Sequence, residues 1–350
     1  MLVGCDQKEN PAPDIQAPGA SAQGERQITS EYQQLDDGAK YAGDLVGGKK
    51  QGYGAYIWPN GDKYEGDWQD DLMWGKGEFR DVKGRVYVGD WVKGLYHGNG
   101  TYKWPSGSTY EGGFVNGVKS GKGTYRWADG RVYTGDFKND KKNGIGKYSW
   151  PDGREYVGEF LNDERTGRGR LAAGNGEIYE GDFVNGVMQG SGEIKYADGS
   201  TYKGSFDDDV KSGRGSIKWN SGEIYEGDFK NDAPNGVGRL TWPDGNSYAG
   251  DFVSGVMHGR GKYYWKDGRV YTGDFQQGKR TGRGDLVWPS GEQYAGEFVD
   301  DMREGDGSFT WPDGSKYVGG FQQNQLHGHG KCTTAGQTAP CRFDRGIRIE

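Results

Sequence analysis

Apolar and polar residues alternate with a period of two along most of the chain, and the pattern restarts every 23 residues. One unit reads Tyr133-Thr134-Gly135-Asp136-Phe137, a polar connection, Gly144-Ile145-Gly146-Lys147-Tyr148-Ser149-Trp150, then Pro151-Asp152-Gly153. Tyrosine returns at this spacing from Tyr41 to Tyr317, thirteen times without a gap. A glycine stands two residues after each tyrosine, Phe, Trp or Leu four after, and two more glycines eleven and thirteen after. Residues two apart on a strand share a face, so Tyr133, Gly135 and Phe137 point one way. Gly144, Gly146, Tyr148 and Trp150 join them if the two strands pair. Asp136, Lys147 and Ser149 are left on the other face, which suits water, as an antiparallel sheet with one wet face requires. Glycines between the rings offer bare backbone for a neighbouring aromatic to lie across.

The connections carry their own chemistry. Trp58-Pro59-Asn60-Gly61 and Trp288-Pro289-Ser290-Gly291 put Pro second and Gly fourth, the places a type I turn favours. The other connection reads as a loop of about six residues holding Asn-Gly or Asn-Asp, as at Asn116-Gly117, Asn139-Asp140 and Asn185-Gly186. Each repeat is then one hairpin, and nothing shows the 3.6 period of an amphipathic helix. A fixed period between about 20 and 50 residues signals a repeat array. The expected fold is all-β: an elongated single-layer antiparallel meander of thirteen hairpins, spanning roughly 125 Å before curvature at about 4.8 Å per strand.

The recurring Tyr-x-Gly-Asp/Glu-Phe phrase with its trailing Gly-x-Gly resembles the MORN repeat (membrane occupation and recognition nexus) over residues 32 to 331. The resemblance implies a twisted sheet with an aromatic concave face, in proteins that act as scaffolds, membrane-junction components or accessory modules. Some such proteins dimerise end to end, so a homodimer is one expectation. Catalysis is not associated with the repeat. The chain then divides into a start and tether (1–30), the array (31–331) and a C-terminal capping segment (332–350).

Composition narrows the reading. Of 67 glycines, 51 occupy four fixed places in the repeat, so their excess is structural. Hydrophobic residues are only 32%, too few for a thick core; rings stacked along one face must replace it, each repeat stabilising the next. A net charge of −7 without a dense Lys/Arg block argues against nucleic acid. No apolar run approaches the roughly 20 residues that span a bilayer.

Leu2-Val3-Gly4-Cys5 resembles a bacterial lipobox, which implies lipid on Cys5 and a place in the cell envelope, facing the periplasm. Asp6 resembles the inner-membrane retention signal of enteric lipoproteins. A chance cysteine in a tail is the alternative. The Pro-, Ala-, Gln-, Ser- and Gly-rich stretch from 6 to 30 reads as a flexible tether of roughly 25–30 Å reach. Tyr32 to Lys40 supply half a repeat, expected to pair on the edge of the first hairpin.

Trp58, Trp104, Trp127, Trp150, Trp219, Trp242, Trp265, Trp288 and Trp311 recur seventeen residues after a repeat tyrosine and form a candidate aromatic track. Asp81, Ala173 and Tyr196 interrupt it. The Asp81 gap coincides with Trp68, Trp74 and Trp91, either an interaction patch or local repacking. Ala173 and Asp207-Asp208-Asp209 mark a bend or a solvated loop. His97, His258 and His327 share one place in the hairpin loop, and His327 and His329 lack partners for a metal. Paired carboxylates such as Glu65 and Asp67 recur on the polar face and suit solvent better than acid–base work. The expectation is no enzyme, no cofactor and no metal. Cys332 and Cys341 fall where the repeat decays, and with Cys5 lipidated they are expected to form a disulfide that fixes Phe343 to Ile349 as a capping strand.

Three functions compete. The first is a lipid-tethered scaffold for unidentified protein partners. The second is a glycan binder, for peptidoglycan or exopolysaccharide, using the tryptophan track. The third is direct lipid binding, which the acidic balance disfavours. Rings packed on one another favour the scaffold; rings open along a groove favour the glycan.

Overall fold

The computed structural model describes residues 28–350, and every regular element among them is a β-strand, 29 in all, numbered in chain order. Cys5 and most of the tether lie outside the described residues. The chain divides into two compact units at Pro105 and Ser106. The first holds seven strands, from β1 (Gln33–Gln34) to β7 (Leu95–Lys103); the second runs from β8 (Thr109–Val115) to β29 (Ile347–Arg348). Within each unit, strands pair antiparallel with their neighbours in sequence.

The repeat from Tyr133 shows how a unit is built. In β10 (Val132–Lys138) and β11 (Lys141–Ser149), Tyr133 faces Tyr148 and Gly135 faces Gly146; the register then shifts through a bulge, so that Phe137 faces Lys142. The connection is only Asn139-Asp140, at φ +50° and +67°, not a loop of six residues. Both φ values are positive, as the primed two-residue turn that matches strand twist demands. Gly144, at φ +63°, carries β11 through the bulge, and for that reason the strand begins earlier than its apolar alternation does. At the other end, Gly153 N–H donates to the Trp150 carbonyl at 3.1 Å, with Gly153 at φ +88°.

Packing on the ring face is a chain of edge-to-face rings. All thirteen tyrosines are buried, and each hydroxyl donates to the carbonyl three residues on at 2.8–3.2 Å. Phe183 sits 5.1 Å from Tyr156 and 5.2 Å from Tyr179 between ring centres, so it joins its own repeat to the one before. The tyrosine lies where glycine side chains would be. A Cβ on Gly158 would stand 2.5 Å from Tyr156 Oη and 2.6 Å from Gly169 Cα.

The repeat's carboxylates do more than face water. Asp251 accepts the Arg260 backbone N–H at 3.0 Å and Glu159 that of Arg168 at 3.0 Å, satisfying donors that the bulge leaves without a strand partner. The two-residue turns also staple repeats together. Asp163 N–H donates to the Lys142 carbonyl at 3.0 Å while its carboxylate accepts Lys142 N–H at 2.9 Å. Asp208-Asp209, the centre of the acidic run, is one of these turns; Asp209 makes the same exchange with Met188 at 3.0 and 2.7 Å.

Both termini are half-repeats. β1 pairs with β2 (Lys40–Val46), Gln33 opposite Tyr41. At the C-terminus the single capping strand expected over 343–349 is instead a hairpin, β28 (Gln337–Asp344) and β29, turning at Arg345-Gly346 with φ +46° and +81°. β28 lies on β27 (Gln325–Thr334) with Gly330 opposite Cys341 and Gly328 opposite Phe343. That is the register in which Gly307 meets Gly319 and Gly305 meets Phe321. Cys341 therefore holds the glycine place and Ala339 the tyrosine place of a fourteenth, truncated unit. Cys332 and Cys341 meet there, Cα atoms 5.8 Å and sulfurs 2.10 Å apart.

Candidate functional site

The ring face is filled rather than open. Trp58, Trp104, Trp127, Trp150, Trp219, Trp242, Trp265, Trp288 and Trp311 are all half-buried along the margin of the tyrosine ladder. Tyr148 and Trp150 lie 4.4 Å apart and Trp127 stands 5.3 Å from Tyr148, so rings of successive repeats stack on each other. Trp68 and Trp91 are not an exposed patch: they are 6% and 3% exposed. They occupy the phenylalanine place, and their indole N–H groups donate to Gly54 and Gly77 carbonyls at 3.1 Å. Trp74 is half-buried beside the bulge.

Cations complete this face, which periodicity alone does not reveal. Nine residues after the tyrosine stand Lys50, Lys119, Lys142, Arg165, Lys211, Arg280 and Arg303. Arg280 reaches over Trp265, Tyr271 and Phe298 at 5.3–5.6 Å, and Lys142 over Trp127, Tyr133 and Tyr148 at 5.6–6.0 Å. Long aliphatic stems let a charged residue cover apolar surface. Burial holds the guanidiniums of Arg165 and Arg303 below the usual arginine value. A signal was present: in five places the cation is followed 21 residues later by a turn aspartate, as in Lys50 with Asp71 and Arg280 with Asp301.

Two of the interruptions in the track meet a changed partner in the next repeat. The tryptophan place of one repeat lies under the cation place of the next, as Trp288 lies 5.6 Å from Arg303. Where Asp81 replaces tryptophan, Tyr96 replaces the cation, and the buried Asp81 carboxylate pairs with Arg85 and accepts its N–H at 2.8 Å. Where Ala173 replaces tryptophan, Met188 replaces the cation.

The grooves of the second unit run along the face opposite the rings. Tyrosine rings fill the space above the glycine rows on one side; on the other, the residues between the glycines set how much of it stays open. One groove of about 1040 Å³ has a floor of paired glycines with Ala249, Thr272 and Ala295, bordered by Arg260, Lys262 and Arg283 and by Asp285 and Asp306. A smaller one of about 700 Å³ is floored instead by charges, among them Arg170, Glu180 and Lys203. Arg168, Arg214 and Arg260, two repeats apart, project from this face at 80–89% exposure and pair with Asp182, Asp228 and Asp274 at 3.2–3.4 Å.

His97, His258 and His327 sit inside β-strands, not loops, because the turn is two residues long. His327 Nδ1 is 3.6 Å from Asp344 and makes no hydrogen bond. Among the described residues no group of three or more His, Cys, Asp or Glu is placed to hold a metal, and no helix is long and apolar enough to cross a membrane.

No curated protein shows significant sequence similarity to the chain. Among solved structures, the TCP10 domain of Danio rerio CPAP in complex with a peptide of Danio rerio STIL is 14% identical, with 76% of this chain and 93% of that one covered and a TM-score of 0.27. The Drosophila melanogaster SAS-4 TCP domain, in complex with a proline-rich motif of Ana2, is 12% identical over 61% and 96%, with a TM-score of 0.26. Virginiamycin B lyase from Staphylococcus aureus is 11% identical over 89% of each chain, with a TM-score of 0.13. Superpositions this loose carry no argument about fold or function. The MORN repeat pattern, by contrast, matches in thirteen successive segments, from 41–63 through 133–153 and 225–247 to 317–338. With the repeat's tyrosines, glycines and bulges accounted for one by one, the chain belongs to the MORN-repeat family.

Proposed function

We propose that the protein is a non-catalytic scaffold, held at a bacterial membrane by lipid on Cys5 and facing the periplasm, whose glycine-floored groove receives an extended segment of a protein partner. Family membership gives a repeat-based interaction or scaffold role. The observation that carries the finer reading is the groove itself: small residues at Ala249, Thr272 and Ala295 leave bare backbone accessible between Arg260, Lys262 and Arg283. Such a site suits an extended polypeptide, bound by shape and by the mixed charges of its rim. The glycan reading is weaker, because an aromatic stacking platform needs free ring faces. Arg131 and Lys142 both lie over Trp127, and Arg269 and Arg280 over Trp265.

A photo-crosslinking residue at Ala295 in the envelope-resident protein tests the groove. The expected result is one discrete adduct that Arg260→Glu with Arg283→Glu abolishes and that a crosslinker at Trp288 does not form. Adducts from Trp288 alone would overturn the reading. Mass spectrometry of the same preparation is expected to find lipid on Cys5, and Cys5→Ser to release the protein from membranes. Protein in the soluble fraction with Met1 intact would refute the anchor.

A further inference from the structure

The fourteenth, truncated unit lacks almost everything that locks a full repeat. Ala339 stands where the tyrosine would be and is exposed, Thr334 stands at the tryptophan place of the repeat before, and Ala335 takes a left-handed φ of +52° that glycine or asparagine would hold more easily. β29 pairs with β28 only through Phe343–Arg348 and Asp344–Ile347, so the stretch from Gln337 to Cys341 has a strand partner on one side alone. In a full repeat a tyrosine ring covers the glycine two residues on. Here that glycine is Cys341, which is 3% exposed although its neighbours from Gln337 to Pro340 are exposed. The side chain that reaches it is Cys332, from the place opposite the tyrosine where other repeats carry an aromatic, leucine or isoleucine.

We propose that a Cys332–Cys341 disulfide replaces the missing tyrosine-over-glycine lock and makes the C-terminal hairpin a redox-sensitive latch. A dithiol reductant opens it by thiol–disulfide exchange. One thiolate attacks a cysteine sulfur, the second resolves the mixed disulfide, and two electrons and two protons leave the protein with two thiols and the reductant with a disulfide. The remaining ties to the array are the β27–β28 ladder from Gly328–Phe343 to Thr334–Gln337, the Thr333–Thr338 hydroxyl pair at 2.8 Å, the Tyr317–Phe343 ring pair at 5.1 Å, the Gly346 N–H to Leu326 carbonyl bond at 2.8 Å and the His327–Asp344 pair at 3.6 Å. With the bond open, β28 and β29 leave β27, and its N–H and C=O groups become a free strand edge. Because contacts in an array are local, the repeats before Tyr317 stay folded.

Hydrogen exchange on the full chain, before and after dithiothreitol, tests this. On reduction, exchange in peptides covering 337–348 is expected to rise at least tenfold while peptides within 110–300 change less than twofold. The Cys332→Ser/Cys341→Ser variant is expected to exchange like the reduced protein and to ignore the reductant. The double variant Ala339→Tyr/Cys341→Gly, which restores the repeat's own lock, is expected to recover protection that dithiothreitol leaves unchanged. Three results would overturn the latch: both thiols reacting with iodoacetamide in folded, unreduced protein from an oxidising compartment; unchanged exchange in 337–348 after alkylation shows complete reduction; or a rise spread evenly over the whole array.

Discussion

The two faces of the sheet in the second unit obey different rules. On the ring face the tyrosine, the residue four on and the two glycines recur with almost no variation. On the groove face the residue after the tyrosine is Val157, Glu180, Lys203, Glu226, Ala249 and Thr272 in successive repeats. Packing explains the contrast. A ring locked between two glycines and a neighbouring ring tolerates no change of volume, whereas side chains projecting into an open groove have no such constraint. One face holds the repeats together, and the other is free to differ from repeat to repeat along the array.

Raising the pH attacks the ring face everywhere at once, and the largest effect is expected there. Burial pushes the hydroxyls of Tyr156, Tyr202 and Tyr225 up from 10.0 to about 12. The unfolded chain therefore loses these protons first. The tyrosine contribution to stability is complete below about pH 10 and is lost as pH rises from there through about 12. Chemical denaturation followed by circular dichroism is expected to show a steep fall above about pH 10; an unchanged midpoint at pH 11 would break the account. Next in size, Phe183→Ala removes a ring shared by two repeats and is expected to cost roughly 3–5 kcal/mol. Hydrogen exchange should rise between Tyr156 and Tyr202 and not at Tyr294. Gly158→Ala drives a methyl into the Tyr156 ring and is expected to cost about 1–3 kcal/mol by overpacking, read as a shift in the denaturation midpoint.

Smaller changes sharpen the contrast. Asp209→Ala removes the staple to Met188 and is expected to cost about 1 kcal/mol. Arg214→Ala, on the groove face, breaks only the exposed pair with Asp228 and is expected to move stability by less than about 1 kcal/mol, an effect that salt erases. A groove-face substitution that destabilised as much as Phe183→Ala would collapse the distinction.

How much of this was legible in the chain follows from the same division. The hairpins, the ring ladder and its glycines were readable because strand alternation writes them at fixed places. The two-residue turn was not, because Gly144 reads as punctuation in sequence although its positive φ carries the strand onward. The lysines and arginines on the ring face were hidden by their polarity; only their spacing from the turn aspartates gives them away. Trp68 and Trp91 left two readings open, since a large aromatic signals an interface or a core equally well; their burial at 6% and 3% exposure favours repacking. The groove could not be read from sequence, being defined by what glycine, alanine and threonine do not fill.

The shared phenylalanine also fixes the unit in which the molecule can change length. Phe183 closes against Tyr156 as it does against Tyr179, so a cut at any one place in the repeat and a join at the same place 23 residues on restores every pairing of ring with ring. Deletions or duplications by whole repeats should leave no mismatched seam, and those of any other size should leave one. In that sense the array is graduated like a ruler, and the width of the sheet in the second unit can be reset by recombination in steps of about 10 Å, two strand spacings at a time.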